Sequence, residues 1–141
     1  MTGLVARRQR IARVRSIQHI LASAEAARAE ARVEQLESTE RRLALLSAQM
    51  TPAVGHGTGQ HLSSGAEMIG RLAQVRDGLT DSIVGARASA EQQAALRIAA
   101  RIRQESAERL GARAVRAAEA KAEAKRAALP RPRTPNTERD A

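Results

Sequence analysis

The chain has 141 residues and a formal net charge of +9, with no Phe, Tyr, Trp or Cys. Its hydrophobic fraction is 43%, and about half of that is Ala, with 31 Ala beside 12 Leu, 7 Ile, 7 Val and 3 Met. A large buried side chain is worth roughly 1.5–3 kcal/mol and Ala much less, so this composition excludes a thick globular core but can fill a thin seam between helices.

The first element is expected over residues 2–50. It opens on "LVARRQRIARVRSIQHI", in which Arg7, Arg8, Arg10, Arg13 and Arg15 alternate with apolar residues and no acid precedes Glu25. Ile11, Val14, Ile17, Leu21 and Ala24 recur at helical spacing. A second run then takes over through Ala22, Ala26, Ala29, Val33, Leu36, Glu40, Leu43, Ser47 and Met50, in alternating steps of four and three. That is a heptad seam, interrupted by Glu40 and Ser47. The two runs are out of phase, which predicts a stutter near residues 21–22. Such a helix would be roughly 70 Å long at about 1.5 Å per residue.

Pro52 cannot continue the helix, and "TPAVGHGTGQHLSSG" with its four glycines predicts a loop over 51–64. Ser64 followed by Glu67 fits a capping box, in which both side chains satisfy free backbone donors at a helix start. The second helix is therefore expected over 65–129. Its seam starts at Ile69, Leu72, Arg76, Leu79, Ile83, Ala86 and Ala90, and continues less regularly through Ala94, Ile98, Ile102, Leu110, Ala114 and Ala117. Gly70, Gly78 and Gly85 each cost roughly 1 kcal/mol against Ala, so a kink or fraying is expected there. Pro130, Pro132 and Pro135 stop the helix, and residues 130–141 read as a disordered basic tail.

The expected fold is thus all-α: residues 1–129 form a single antiparallel two-helix coiled-coil hairpin, with an extended dimer as the competing architecture. The seam is expected to use Ile11, Val14, Leu21, Val33, Leu36 and Leu43 against Ile69, Leu72, Leu79, Ile83, Ile98, Ile102 and Leu110. Strand patterns are absent, as is any apolar run of the roughly 18 residues a membrane span needs. Arg interrupts the apolar N-terminal stretch, which argues against a secretory signal. Zero Cys suits a reducing cytoplasm.

Charge is segregated. Residues 1–21 carry five Arg and no acid, and residues 97–126 carry nine basic against four acidic side chains. A hairpin lays these two blocks side by side, so one end carries about +10 while the loop end stays near neutral, a field that steers acidic partners. Catalysis finds no support. His56 and His61 lie in a glycine-rich stretch without Cys, which predicts no metal, and His19 is expected on a helix flank. Glu37–Arg41 and Glu105–Arg109 are helix-supporting pairs rather than acid–base dyads. No cofactor is implied. Non-specific nucleic-acid binding through the Arg-rich end is the main rival to protein binding, although single-strand recognition would want aromatic platforms. A generic scaffold or granule-coating helix protein is a further alternative.

The basic start "LVARRQRIARVRSIQHI", two long Ala/Arg/Glu-rich helices, a short middle loop and a basic end together resemble the FliJ family of flagellar type III export and its YscO-like injectisome relatives. The likeness spans about residues 4–129 in length and layout, with the glycines of the second helix and the proline-rich tail as departures. It implies an antiparallel coiled coil similar to the stalk of rotary ATPases. It also implies a cytoplasmic protein without enzymatic activity, peripheral to the inner-membrane export apparatus. Its partners would be the hexameric export ATPase, the export gate membrane protein and secretion chaperones. On that reading Arg7, Arg8, Arg10, Arg13, Arg15, Arg113, Arg116, Lys121 and Lys125 meet acidic loops of the ATPase pore.

Overall fold

The computed structural model describes residues 2–50 and 59–130. It contains two helices, α1 (Thr2–Gln49) and α2 (Gly59–Ala128), and no strand among the described residues. The chain is all-α, as its alanine-rich composition requires. Most of the expected loop and nearly all of the expected tail, His56 included, lie outside the described residues.

α2 begins six residues before the expected start. Ser64 does not cap it. Its hydroxyl donates to the His61 carbonyl at 3.2 Å, and the Ser63 hydroxyl does the same to Gln60 at 3.1 Å. Serines that satisfy their hydroxyls on the preceding turn are compatible with a helix interior, so Ser64 and Glu67 mark no boundary. At its other end α2 closes with Leu129 N–H donating to the Arg126 carbonyl at 3.3 Å, a tight final turn before Pro130. Lys125 and Arg126 lie in the last turn, where they favour the helix dipole. The helix continues without interruption through Gly70, Gly78 and Gly85, where a kink or fraying was expected.

Contacts divide the chain into two units. One comprises residues 1–16 with 102–141, the other residues 17–101. Within each, α1 and α2 pack antiparallel.

In the unit of residues 17–101 the seam is well filled. Val33, Leu36, Leu43, Ile69, Leu72 and Leu79 are half-buried, and Ile83 retains only 8% exposure. Ala26 is wholly buried. Two ion pairs cross between the helices. Arg87 donates from Nε (3.1 Å) and Nη2 (2.6 Å) to Glu37 Oε1, and Arg76 Nη2 donates to Glu40 Oε1 at 3.3 Å. Glu40 and Arg76, which break the apolar pattern of their own helices, thus answer each other across the seam. Arg76 Nε is buried without a partner, so this pair is imperfectly satisfied. His19 is half-buried in seam register, not on a flank, with Nε2 at 3.4 Å from Ser23 Oγ.

The structure moves six expected seam residues elsewhere. Ile11, Val14, Leu21, Ile98, Ile102 and Leu110 are exposed, from 38% at Ile11 to 61% at Leu21. The shielded positions of α1 instead run Val5, Arg8, Ala12, Arg15, His19, Ala22, Ala26, Ala29, Val33, Leu36, Glu40, Leu43, Ser47 and Met50. That series keeps alternating steps of three and four throughout, so no stutter occurs at residues 21–22. The phase set by Val33, Leu36 and Leu43 persists along an unbroken helix and leaves the Ile11–Val14–Leu21 stripe outside. In α2 the same logic shields Gln93, Ala100, Gln104, Ala107, Gly111, Ala114 and Ala118, and turns Ile98, Ile102 and Leu110 outward.

Candidate interaction surface

All nine basic residues expected to meet a partner fall in the unit formed by residues 1–16 and 102–141: Arg7, Arg8, Arg10, Arg13 and Arg15 from α1, and Arg113, Arg116, Lys121 and Lys125 from α2. Its α1 contribution contains no acidic residue. Arg8 and Arg15 are half-buried; the other seven are exposed. The cause is local. Arg8 and Arg15 occupy seam register, where a long side chain can lay its aliphatic stem along the helix pair.

The seam of this unit is built from small residues. Ala107, at 8% exposure, and Gly111 are buried, and Ala12, Ala114 and Ala118 are half-buried. Bulky side chains flank that seam on one side. Ile11, Ile102 and Leu110 line a shallow groove of about 280 Å³ with Arg8, Arg15, Arg103, Ser106 and Ala107. A neighbouring apolar hollow is formed by Leu4, Val5, Ala114, Ala117, Ala118 and Lys121. No acidic residue lines either one.

Two acids near the groove belong to other contacts. Glu108 accepts from the Gln104 amide at 2.8 Å, and Glu105 pairs with Arg109 at 3.9 Å. By helical register both acids project from the flank of α2 opposite Arg103 and Leu110. The groove side therefore combines apolar surface with positive charge. Sequence reasoning found the arginines but placed Ile11, Ile102 and Leu110 inside. The signal that would have corrected it is the single heptad phase that runs back from Val33 through Ala12 to Val5.

Among the described residues no group of three or more His, Cys, Asp or Glu is placed to hold a metal ion, and no helix is long and apolar enough to cross a membrane. His61 is exposed beside Met50, Leu62 and Ile69. Compared with models of known protein families, with curated proteins and with solved structures, the chain matches none.

Proposed function

We propose that this chain is a non-enzymatic stalk or adaptor of a bacterial flagellar-type, type III protein export apparatus. It binds the hexameric export ATPase and links it to the export gate and to chaperones, working in the cytoplasm at the inner-membrane apparatus. The observation that carries this reading is the basic two-helix unit, in which nine Arg and Lys side chains from the two ends of the described chain are gathered. A helix pair with a large excess of positive charge suits docking onto acidic loops, because complementary charge steers encounter and fixes orientation. It calls for no catalytic group of its own, since hydrolysis belongs to the partner.

The test is ATP hydrolysis by the same organism's export ATPase at physiological salt, with and without the full chain. A parallel sample carries Arg7→Glu, Arg10→Glu and Arg13→Glu, all at exposed positions. Stimulation that the triple charge reversal abolishes supports the stalk reading; the absence of both stimulation and co-migration overturns it. The same basic surface is the observation that favours the second reading, non-specific binding to nucleic acid. That reading requires affinity for any duplex that falls steeply with ionic strength.

A further inference from the structure

The basic unit spends its largest apolar side chains on the outside. Ile11 (38%), Leu110 (42%) and Ile102 (58%) are exposed around a groove that the buried Ala107 also lines, while the seam itself holds neither Leu nor Ile. The two-helix pair covers these side chains only in part. A third helix laid along the groove would cover the rest, turning a flanking position into a core position. Arg8, Arg15 and Arg103 rim the same groove, and no acid lines it.

We propose that this groove is the docking seam for a third helix, supplied by a different protein. Its apolar face meets Ile11, Ile102 and Leu110, and Glu or Asp on its flanks meets Arg8, Arg15 and Arg103. Charge decides against a second copy of this chain as the occupant. Two such faces pressed together set arginine against arginine with no acid in either groove, and like charges brought together at an interface oppose association. An acidic amphipathic helix supplies both the apolar stripe and the opposite charge, the helix-in-groove mode of recognition. The inference goes beyond the stalk reading: it fixes the chemistry of a partner helix whatever the activity of the protein that bears it. Failure of ATPase stimulation leaves it standing, and failure of helix docking leaves charge-mediated ATPase binding standing.

The experiment uses the full chain and three synthetic peptides of about 21 residues, roughly three heptads. The first has Leu at both seam positions of each heptad and Glu on the flanks. The second is a scramble of the same composition. The third has Lys in place of Glu. Each carries one Trp, which reports binding without background because the chain has no Trp or Tyr. At about 0.15 M salt, where surface charge is screened beyond about 8 Å, the acidic amphipathic peptide is expected to bind saturably and to gain helicity. Ile11→Gln and Leu110→Gln, each checked for unchanged helicity by circular dichroism, should each weaken it at least tenfold. Val84→Gln, exposed in the other unit, should leave it unchanged.

Four results overturn the proposal. The first is equal binding of the scramble or of the Lys peptide, and the second is binding indifferent to Ile11→Gln and Leu110→Gln. The third is no binding at about 100 μM, weaker than about −5.5 kcal/mol. The fourth is sedimentation of the free chain as a dimer that Ile11→Gln dissociates, which makes a second copy the occupant.

Discussion

The two units use one register to opposite ends. Between residues 17 and 101 the positions that face the other helix hold Val33, Leu36, Leu43, Ile69, Leu72, Leu79 and Ile83, with Glu37–Arg87 and Glu40–Arg76 across the seam. In the unit of residues 1–16 and 102–141 the facing positions hold Val5, Arg8, Ala12 and Arg15 against Gln104, Ala107, Gly111, Ala114 and Ala118, and every Leu and Ile described there is exposed. A chain with so few large apolar side chains would place all of them inside if helix pairing were its sole task. Both units leave Leu and Ile side chains exposed, among them Leu21, Leu45, Leu96 and Ile98 in the unit of residues 17–101, but only the basic unit has neither Leu nor Ile in its seam, and it is the one that carries the concentrated positive charge.

Removing one large apolar side chain from each unit is the sharpest way to break this comparison. Ile83→Ala, at the most shielded large position, should cost about 2–3 kcal/mol, the lower part of the range for core truncations because the seam is thin. Ile102→Ala should stay within about 0.5 kcal/mol, the usual range for surface substitutions. Urea unfolding followed by circular dichroism at 222 nm measures both, and equal losses would erase the distinction drawn here.

The second contrast lies between the two cross-helix pairs. Glu40→Ala strands Arg76, whose Nε is already buried without a partner, and should destabilise by about 1–2 kcal/mol. Replacing both with Leu should recover at least that loss, because a shielded pair exchanged for packed apolar groups is often neutral or better. Glu37→Gln should cost less than about 1 kcal/mol, since Arg87 is mostly exposed. The same unfolding curves, run in low and high salt, rank the three variants.

The smallest effect has the opposite sign. A Cβ built on Gly85 meets no atom within 4 Å, and the backbone there is helical. Gly85→Ala should therefore raise stability by about 0.5–1 kcal/mol. A fall instead would mean that the backbone at Gly85 does not accept a Cβ without strain.

The helices, their antiparallel pairing and the seam from Ala22 to Met50 and from Ile69 to Ala90 were legible in the sequence, because large apolar residues and heptad spacing coincide there. From residue 4 to residue 21 they do not coincide. Ile11, Val14 and Leu21 form a convincing stripe of their own, and only the continuity of α1 from its better-packed part decides that Arg8, Ala12 and Arg15 face inward. Residue size outweighed phase in the sequence reading, whereas an unbroken helix obeys phase. The start of α2 was misplaced for a related reason: Ser64 and Glu67 have the spacing of a cap, but the same serine hydroxyl is equally satisfied by the turn before it. Glu40 and Arg76 read as interruptions because each helix was considered alone; opposite charges at facing positions of two antiparallel helices are the signal that pairs them.

The two ion pairs also govern sliding. Arg87 and Arg76 lie eleven residues apart on α2, whereas their partners Glu37 and Glu40 lie three apart on α1, so the two arms converge across the seam. Arg87 therefore reaches Glu37 from one side along the axis, and Arg76 reaches Glu40 from the other. The two arms brace the helices in opposite axial directions, like guy ropes on a mast. A shift of α2 along α1 in either sense stretches one arm as it slackens the other. Apolar contacts alone repeat every heptad and tolerate such a shift, while these arms single out one position along the axis. A load applied along the helices of this unit would thus be resisted whether it pushes or pulls.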